Sequence, residues 1–548
     1  MNRQLIYRWI IYITLAIGIL GPLLLPGYVL TLDMVFTPQI DAQAFVGRPS
    51  FLWYGLLEFM TKVLPADFVQ KLILFAVVLL GAWGMDQLLH YILKDKVRLR
   101  LLLFGVSVFL CNPFVYGRFM TGQLAVLLGY VLLPFFIVAL LRFPEVPSWR
   151  KVLILLLWIC AIAIVSIHTL GLVIIVGLPL IALEAYRRRR NWQWGQQLLL
   201  KSLGAFFLFL LVNSYWIVSL LQGHSNLLTT IGSFGAEDFR AFATNSVPWG
   251  VLGNVLTLQG FWADSANLYL TPQDVYWWWY IPLGLLLFLV MIGVYYGWKT
   301  TKALTVALLI MWAVAVILAT GSSGTWFGPL NEWLQSTVPF FAGYREPQKF
   351  QAIIALVYAV FATLGVLQSG KRLSEWHWQL AESGGIVTLL LPLACAPLMF
   401  WGFHGQLRVS EYPKDWYIIN EYFEQQTDSS KRVLALPWHL YMRFGFAGRI
   451  IANPLDSFFK PKVIINTDAE MAQAKIDSQD PQTQTITRLL QTAQSRNDIA
   501  IRLQTLQIGY ILLAKEFDYK TYQYLDVQPG LRLIRETPTL KLYKVEPS

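Results

Sequence analysis

Apolar residues in this chain gather into blocks of roughly 20, long enough to cross a bilayer as a helix, joined by short polar or basic links. The blocks predict about eleven spans, over 9–25, 68–93, 101–116, 124–141, 152–167, 169–186, 198–221, 278–298, 303–320, 350–367 and 384–403. The pair 152–167 and 169–186 reads as a hairpin of two short spans turning near His168. Between 51 and 65, FLWYGLLEFMTKVLP is too short to span and carries Glu58 and Lys62, which predicts an interfacial helix. After Phe403 the pattern turns polar. RVLALPW, GYILLA, YQYLDV, LRLIRE and LKLYKVE there predict short strands. Apolar positions Ile486, Leu489, Leu490, Ala493, Ile499 and Leu503 predict one or two amphipathic helices within Pro481 to Leu506. The expected architecture is mainly α: a polytopic transmembrane bundle over 1–403 and an α/β or α+β domain over 404–548.

Composition agrees with this pattern, since 56% of residues are apolar and 14% charged. A net charge of +11 can signal nucleic-acid binding, but the basic residues fall where the positive-inside rule puts them. Arg3 and Arg8 precede the first block, and Lys94, Lys96, Arg98 and Arg100 follow the second. Arg142, Arg150 and Lys151, then Arg187 to Arg190, Lys299 with Lys302, and Lys371 with Arg372 mark further cytoplasmic links. An even number of spans separates each cluster from the next, so the partner is the lipid of the plasma or inner membrane, with no nucleic acid expected. The amino terminus is then cytoplasmic and the carboxyl-terminal domain extracytoplasmic, with outer loops at 26–67, 222–277 and 321–349. The first block has a basic flank and no small-residue cleavage site, so it reads as a retained helix. Cys111, Cys160 and Cys395 all fall in apolar blocks and indicate neither a disulfide framework nor a metal site.

Candidate chemistry concentrates on the outer side. Asp33 follows a full span and a Pro-Gly turn and lies between Leu32 and Met34, close to the membrane face. It is either a general base within reach of a sugar hydroxyl or an ordinary solvated acid, and Asp41 is the secondary candidate. In GYREPQKF, Arg345, Glu346 and Lys349 gather just before the tenth span. Arg grips a phosphate through paired hydrogen bonds and Lys adds a point charge; the alternative is that both snorkel as interfacial anchors. Arg118 in NPFVYGRFMTGQ is a further phosphate or sugar contact, or part of a structural turn. His168 in SIHTLG either caps a hairpin or serves donor binding or proton handling. Trp416, Trp438 and Tyr441 offer rings for stacking on a sugar or for the core of the small domain.

The absences narrow the field. No GxxxxGK[ST] stretch is present, so nucleotide hydrolysis is unsupported and no nucleotide cofactor is expected. His, Cys and acidic residues show no metal-ligand spacing, although isolated acids can still hold a hydrated divalent cation. Asp86, His90 and Glu184 lie toward inner ends of spans rather than the midplane, unlike the pattern of a proton-coupled carrier.

With Asp33 after the first span, NPFVYGRFMTGQ, NSYWI at 213–217, NVLTLQGFW at 254–262 and GYREPQKF in place, the chain resembles polytopic GT-C-type glycosyltransferases. It is most similar to the branch with bacterial arabinofuranosyltransferase-like and YfhO-like membrane proteins, whose tails YPKDWY at Tyr412 and LPWHLY at Leu436 also resemble. The resemblance implies a polyprenyl-phosphate sugar donor, an outer-loop Asp as general base, and a glycan, glycolipid or protein acceptor. By that match Asp33 takes the base role, while Arg345 and Lys349 suit the leaving phosphate by charge and position. No adjacent acidic pair is present, since Asp33 and Asp41 stand eight residues apart. The expected activity is transfer of a sugar on the outer face. The alternative is a non-enzymatic translocation or assembly factor for envelope lipid or polysaccharide.

Overall fold

The computed structural model describes residues 3–223, 231–232, 234–324, 326–376, 388–425, 431–471 and 474–546. The chain divides into two compact units. The first comprises Met1–Gly21, Ala42–Leu56 and Leu72–Gln406; the second comprises Pro22–Asp41, Leu57–Lys71 and Leu407–Ser548.

The first unit is a helical bundle. Among the described residues, eight helices of the chain are long and apolar enough to cross a membrane, nine if a bent pair counts as one span. That pair is Leu99–Leu110 and Pro113–Thr121, bent by 46°. The bend follows from Asn112 and Pro113. Proline supplies no N–H to the preceding turn and favours the first position of a new helix. The Asn112 carboxamide accepts from Val115 N at 3.0 Å and donates to Phe109 O at 2.8 Å, satisfying groups on both sides of the break.

Two of the expected spans differ. The block at 152–167 forms the helix Trp149–Val165, whose 17 residues reach about 25 Å, short of a hydrocarbon core of about 30 Å. It breaks at Ser166, in extended conformation, whose hydroxyl accepts from Thr169 N and caps Ile167–Arg187. The start of the block at 384–403 lies outside the described residues. Its remainder is helical over 388–395 and then passes into the turn Pro397–Met399 and a left-handed stretch at Trp401, Gly402 and Phe403. This is an interrupted end rather than a continuous span.

The helix Gln351–Trp376 runs through the middle of the bundle, with Ala352 to Ala362 almost wholly buried. It meets Tyr280–Thr300 backbone to backbone. A Cβ on Gly293 would stand 1.8 Å from Phe361 O, and one on Gly365 2.1 Å from Leu289 O. Small residues allow such close approach in membrane bundles, where packing replaces the hydrophobic drive between helices. By contrast Trp192–Val212 buries only Trp194 and Leu198 and turns apolar side chains outward, as a lipid-facing helix does.

The second unit is α/β. Its strands, the first drawn from early in the chain, are β1 Tyr28–Val29, β2 Val409–Ser410, β3 Arg432–Leu436, β4 Tyr441–Phe444, β5 Arg449–Ala452, β6 Val463–Ile464, β7 Ala469–Met471, β8 Ala474–Ile476, β9 Ile508–Ala514, β10 Leu531–Glu536 and β11 Leu540–Val545. The main sheet has the order β10-β11-β9-β3-β6, with β9, β3 and β6 parallel and the others antiparallel. Successive side chains of a strand face opposite ways, so Val433 and Ala435 join one core with Trp416, Ile419 and Phe423 of Lys414–Gln425. Leu434 and Leu436 join the other with Ile486 and Leu489 of Pro481–Gln491 and Leu503 of Ile499–Thr505. Both faces are therefore covered.

One expected strand is helical. YQYLDV lies in the 3-10 helix Tyr519–Val527, where Tyr519, Tyr522 and Leu525 recur every third residue against the second core. A 3-10 helix has three residues per turn and aligns these positions, which alternation had disguised. Strand β1 is anchored by Gln70, whose side-chain amide accepts from Val29 N at 2.9 Å and donates to Val29 O at 2.7 Å as an extra strand would.

Candidate functional site

The helical unit brings together residues from three distant segments. Arg118 lies on the short helix Pro113–Thr121, which ends at Gly122 in a left-handed conformation that glycine adopts without penalty. Its side chain is fully buried, stacked 4.0 Å above the ring of Phe261 and 5.4 Å from Phe114. Nη1 donates to Glu346 Oε2 at 3.0 Å and to Gln123 Oε1. Nη2 is buried with no protein partner.

Glu346 is the hub of this arrangement. It also accepts from Gln123 Nε2 at 3.0 Å and lies 3.8 Å from Lys349 Nζ, itself buried. Burial alone would raise its pKa, but Lys349, Arg118 and the Gln123 hydrogen bond outweigh that and hold it at about 2. Arg345 points to a different partner, Asp238 Oδ1 at 3.3 Å, with its guanidinium 4.4 Å from the rings of both Phe234 and Phe242.

His168 lies within electrostatic range of Lys349, Glu346, Arg345 and Arg118. Its ring meets that of Tyr344 edge to face at 5.7 Å, and the Tyr344 hydroxyl donates to His168 O. This contact requires Gly171, where a Cβ would fall 1.9 Å from the Tyr344 hydroxyl oxygen. The sequence therefore contributes two features to the site that no charge pattern marks, a bare helix face and the ring that fills it.

A further acid, Asp264, borders the cluster. Its Oδ1 accepts from the Tyr269 hydroxyl at 2.6 Å and its Oδ2 from Phe261 N at 3.1 Å. Burial raises its pKa to about 6, against the opposing pull of these hydrogen bonds and of Arg118. Asp264 and Asp238 were not singled out from sequence. Both sit three residues after a backbone N–H that they cap, at Phe261 and Gly235, and that spacing is the sequence signal they carry.

Asp33 belongs to the second unit. It occupies the tip of a tight turn in which Thr31 and Met34 exchange backbone hydrogen bonds at 3.2 and 3.0 Å. Leu32 O accepts from Ala452 N at 2.8 Å, and the Tyr441 hydroxyl donates to Asp33 Oδ1 at 2.9 Å. The residue is exposed; Ala452 holds its turn through the backbone, and Tyr441 bonds its carboxylate. Asp41, also exposed, ends the segment. Trp416 and Trp438 are core residues, anchored through their indole N–H groups to Thr539 at 3.1 Å and Thr487 at 2.9 Å, so neither offers a face to a sugar.

Among the described residues no group of three His, Cys, Asp or Glu side chains has the geometry to hold a metal ion. A hydrated divalent cation carried on a substrate phosphate needs fewer protein ligands.

No protein-family model and no curated protein sequence matches the chain. Its fold is similar to cryo-electron microscopy structures of the arabinofuranosyltransferase AftD from mycobacteria. One aligns with a TM-score of 0.61 at 14% identity over all of this chain and 40% of that one. A mutant form aligns at 0.63 and 13%, over all of this chain and 42% of that one. The chain thus spans about two fifths of the length of the proteins it resembles, and the likeness is one of fold alone.

Proposed function

We propose that this protein is an integral-membrane glycosyltransferase that moves a sugar from a polyprenyl-phosphate donor to a glycan, glycolipid or protein on the extracytoplasmic face. The amino terminus is then cytoplasmic and the second unit extracytoplasmic. The acceptor oxygen forms a bond to the anomeric carbon as the bond from that carbon to the phosphate oxygen breaks. The hydroxyl proton passes to Asp33, and the polyprenyl phosphate leaves with the bonding electrons. Arg345, Lys349 and Arg118 steady the negative charge that grows on the phosphate.

The observation that carries this reading is the buried charge cluster around Glu346 in a fold similar to that of an arabinofuranosyltransferase. Arg118 and Lys349 pair with Glu346, Arg345 pairs with Asp238, and among the described residues Arg118 Nη2 is buried with no hydrogen-bond partner. A buried donor in that state is costly unless water or a ligand satisfies it, and a phosphate oxygen meets the need.

The test is transfer by the purified full chain in nanodiscs, supplied with polyprenyl-phosphate sugars and an envelope glycan extract. Loss of transfer in Asp33→Asn, with the wild type active, supports the reading. Equal transfer by both proteins removes Asp33 from the mechanism.

A further inference from the structure

The second unit contains a polar and aromatic constellation that the proposed chemistry leaves unused. In open α/β sheets, ligands bind beyond the carboxyl ends of parallel strands, where the loops leave the sheet. Strands β3 and β9 are parallel neighbours in register, with Leu436 opposite Leu513. The first turn after each carries His439 and Asp518, and these side chains meet with His439 Nε2 3.2 Å from Asp518 Oδ2.

Three observations distinguish this pair from an ordinary surface contact. Asp518 Oδ1 is shielded from solvent and receives no hydrogen bond, leaving an acceptor without a donor. Phe517, next to it, is 63% exposed and meets the His439 ring edge to face at 5.1 Å. Its backbone is left-handed at φ 50°, a conformation that a bulky residue rarely adopts and that tends to persist at functional loops. The segment is otherwise firmly held, by Trp438 N donating to the Tyr522 hydroxyl at 3.1 Å and Asn453 Nδ2 to His439 O at 3.2 Å. A rigid base thus presents an aromatic ring beside a hydrogen-bonding His–Asp pair. An apolar sugar face stacks on such a ring while its hydroxyls bond to the pair.

We infer that Phe517, His439 and Asp518 form a sugar-binding site on the second unit, taking one residue of a neutral glycan. Tyr441, which holds Asp33, lies only two positions beyond His439 on the same segment. The glycan bound here is therefore the acceptor, an assignment that rests on the transferase reading, whereas the sugar site itself does not.

The probe is a set of methyl glycosides, pentofuranosides and hexopyranosides, applied to the full chain in nanodiscs and read by saturation-transfer NMR. Wild type is expected to bind a subset of them, and Phe517→Ala and Asp518→Asn to weaken that binding about tenfold with unchanged melting temperature. If no glycoside binds wild type, or if both variants bind equally well, the site does not exist. If binding follows the expected pattern while Asp33→Asn still transfers sugar, the site stands and the base assignment falls.

Discussion

Arg118 and Glu346, 228 residues apart in the chain, meet as a buried ion pair at 3.0 Å in the helical unit. Removing one member of such a pair leaves an uncompensated charge and typically costs about 3–5 kcal/mol, more than the pair itself contributes over an apolar replacement. Arg118→Ala and Glu346→Ala should each lower the melting temperature in detergent markedly. The double variant Arg118→Met/Glu346→Leu should recover much of that stability without recovering sugar transfer. Recovery of both would make the pair purely architectural.

Two acids in this region titrate in opposite senses. Glu346 is held at about 2 against an ordinary 4.5, so its stabilising contribution is complete above pH 4.5 and is lost as pH falls toward 2. Asp264 is raised to about 6 from 3.8, so the folded state binds its proton more tightly than the unfolded chain and stability declines as pH rises from 3.8 to 6. Melting curves across this range should show both slopes. Asp264→Asn should flatten the one between pH 4 and 6 and leave the acid limb unchanged.

The contact of Gly293 with Gly365 allows no side chain at either position. Gly293→Leu should abolish folding or membrane accumulation, because its Cβ meets backbone that cannot move aside. Gly284→Leu on the same helix, where nothing lies within 4 Å, should accumulate normally. Similar abundance of the two would contradict the packing described.

Much of this architecture is legible in the chain. Most hydrophobic blocks fall on helices, since a bilayer demands length and apolarity and little else, although helix ends depart from the blocks by up to nine residues, as at Gln351–Trp376. LRLIRE and LKLYKVE became β10 and β11; β11 sends Leu540 and Leu542 into one core and Tyr543 and Val545 into the other, while β10 is the largely exposed edge strand. What the sequence hid is long-range. Nothing near Asp33 indicates that Ala452 and Tyr441 hold its turn, and nothing near Gly171 announces Tyr344. Charge at the ends of blocks drew attention to Arg118, His168, Arg345, Glu346 and Lys349, and the structure brings these five together in one unit. The pairing of Arg345 with Asp238 instead of Glu346 depends on a loop fold that no local pattern encodes.

Tyr441 donates to Asp33 from a segment 408 residues away and orients an exposed carboxylate. Tyr441→Phe keeps the ring and removes the hydrogen bond. The turnover number for sugar transfer should fall about five- to tenfold, with the donor KM unchanged. An unaltered turnover number would reduce the contact to a surface bond.

Arg345→Ala removes a cation assigned to the leaving phosphate, and both donor binding and turnover should weaken, the latter by about 10²–10³. Donor titration and initial rates in nanodiscs separate the two effects. Unchanged transfer at equal membrane abundance would return Arg345 to a structural role with Asp238, Phe234 and Phe242.

The central claim is sugar transfer with Asp33 as the base, and the most direct measurement compares host cells carrying wild-type protein or Asp33→Asn at matched membrane abundance. Lipid-linked sugars and surface glycans are profiled side by side. The account predicts that the variant accumulates a polyprenyl-phosphate sugar while the surface glycan lacks that residue. Identical profiles in both strains would contradict it and favour a translocation or assembly role.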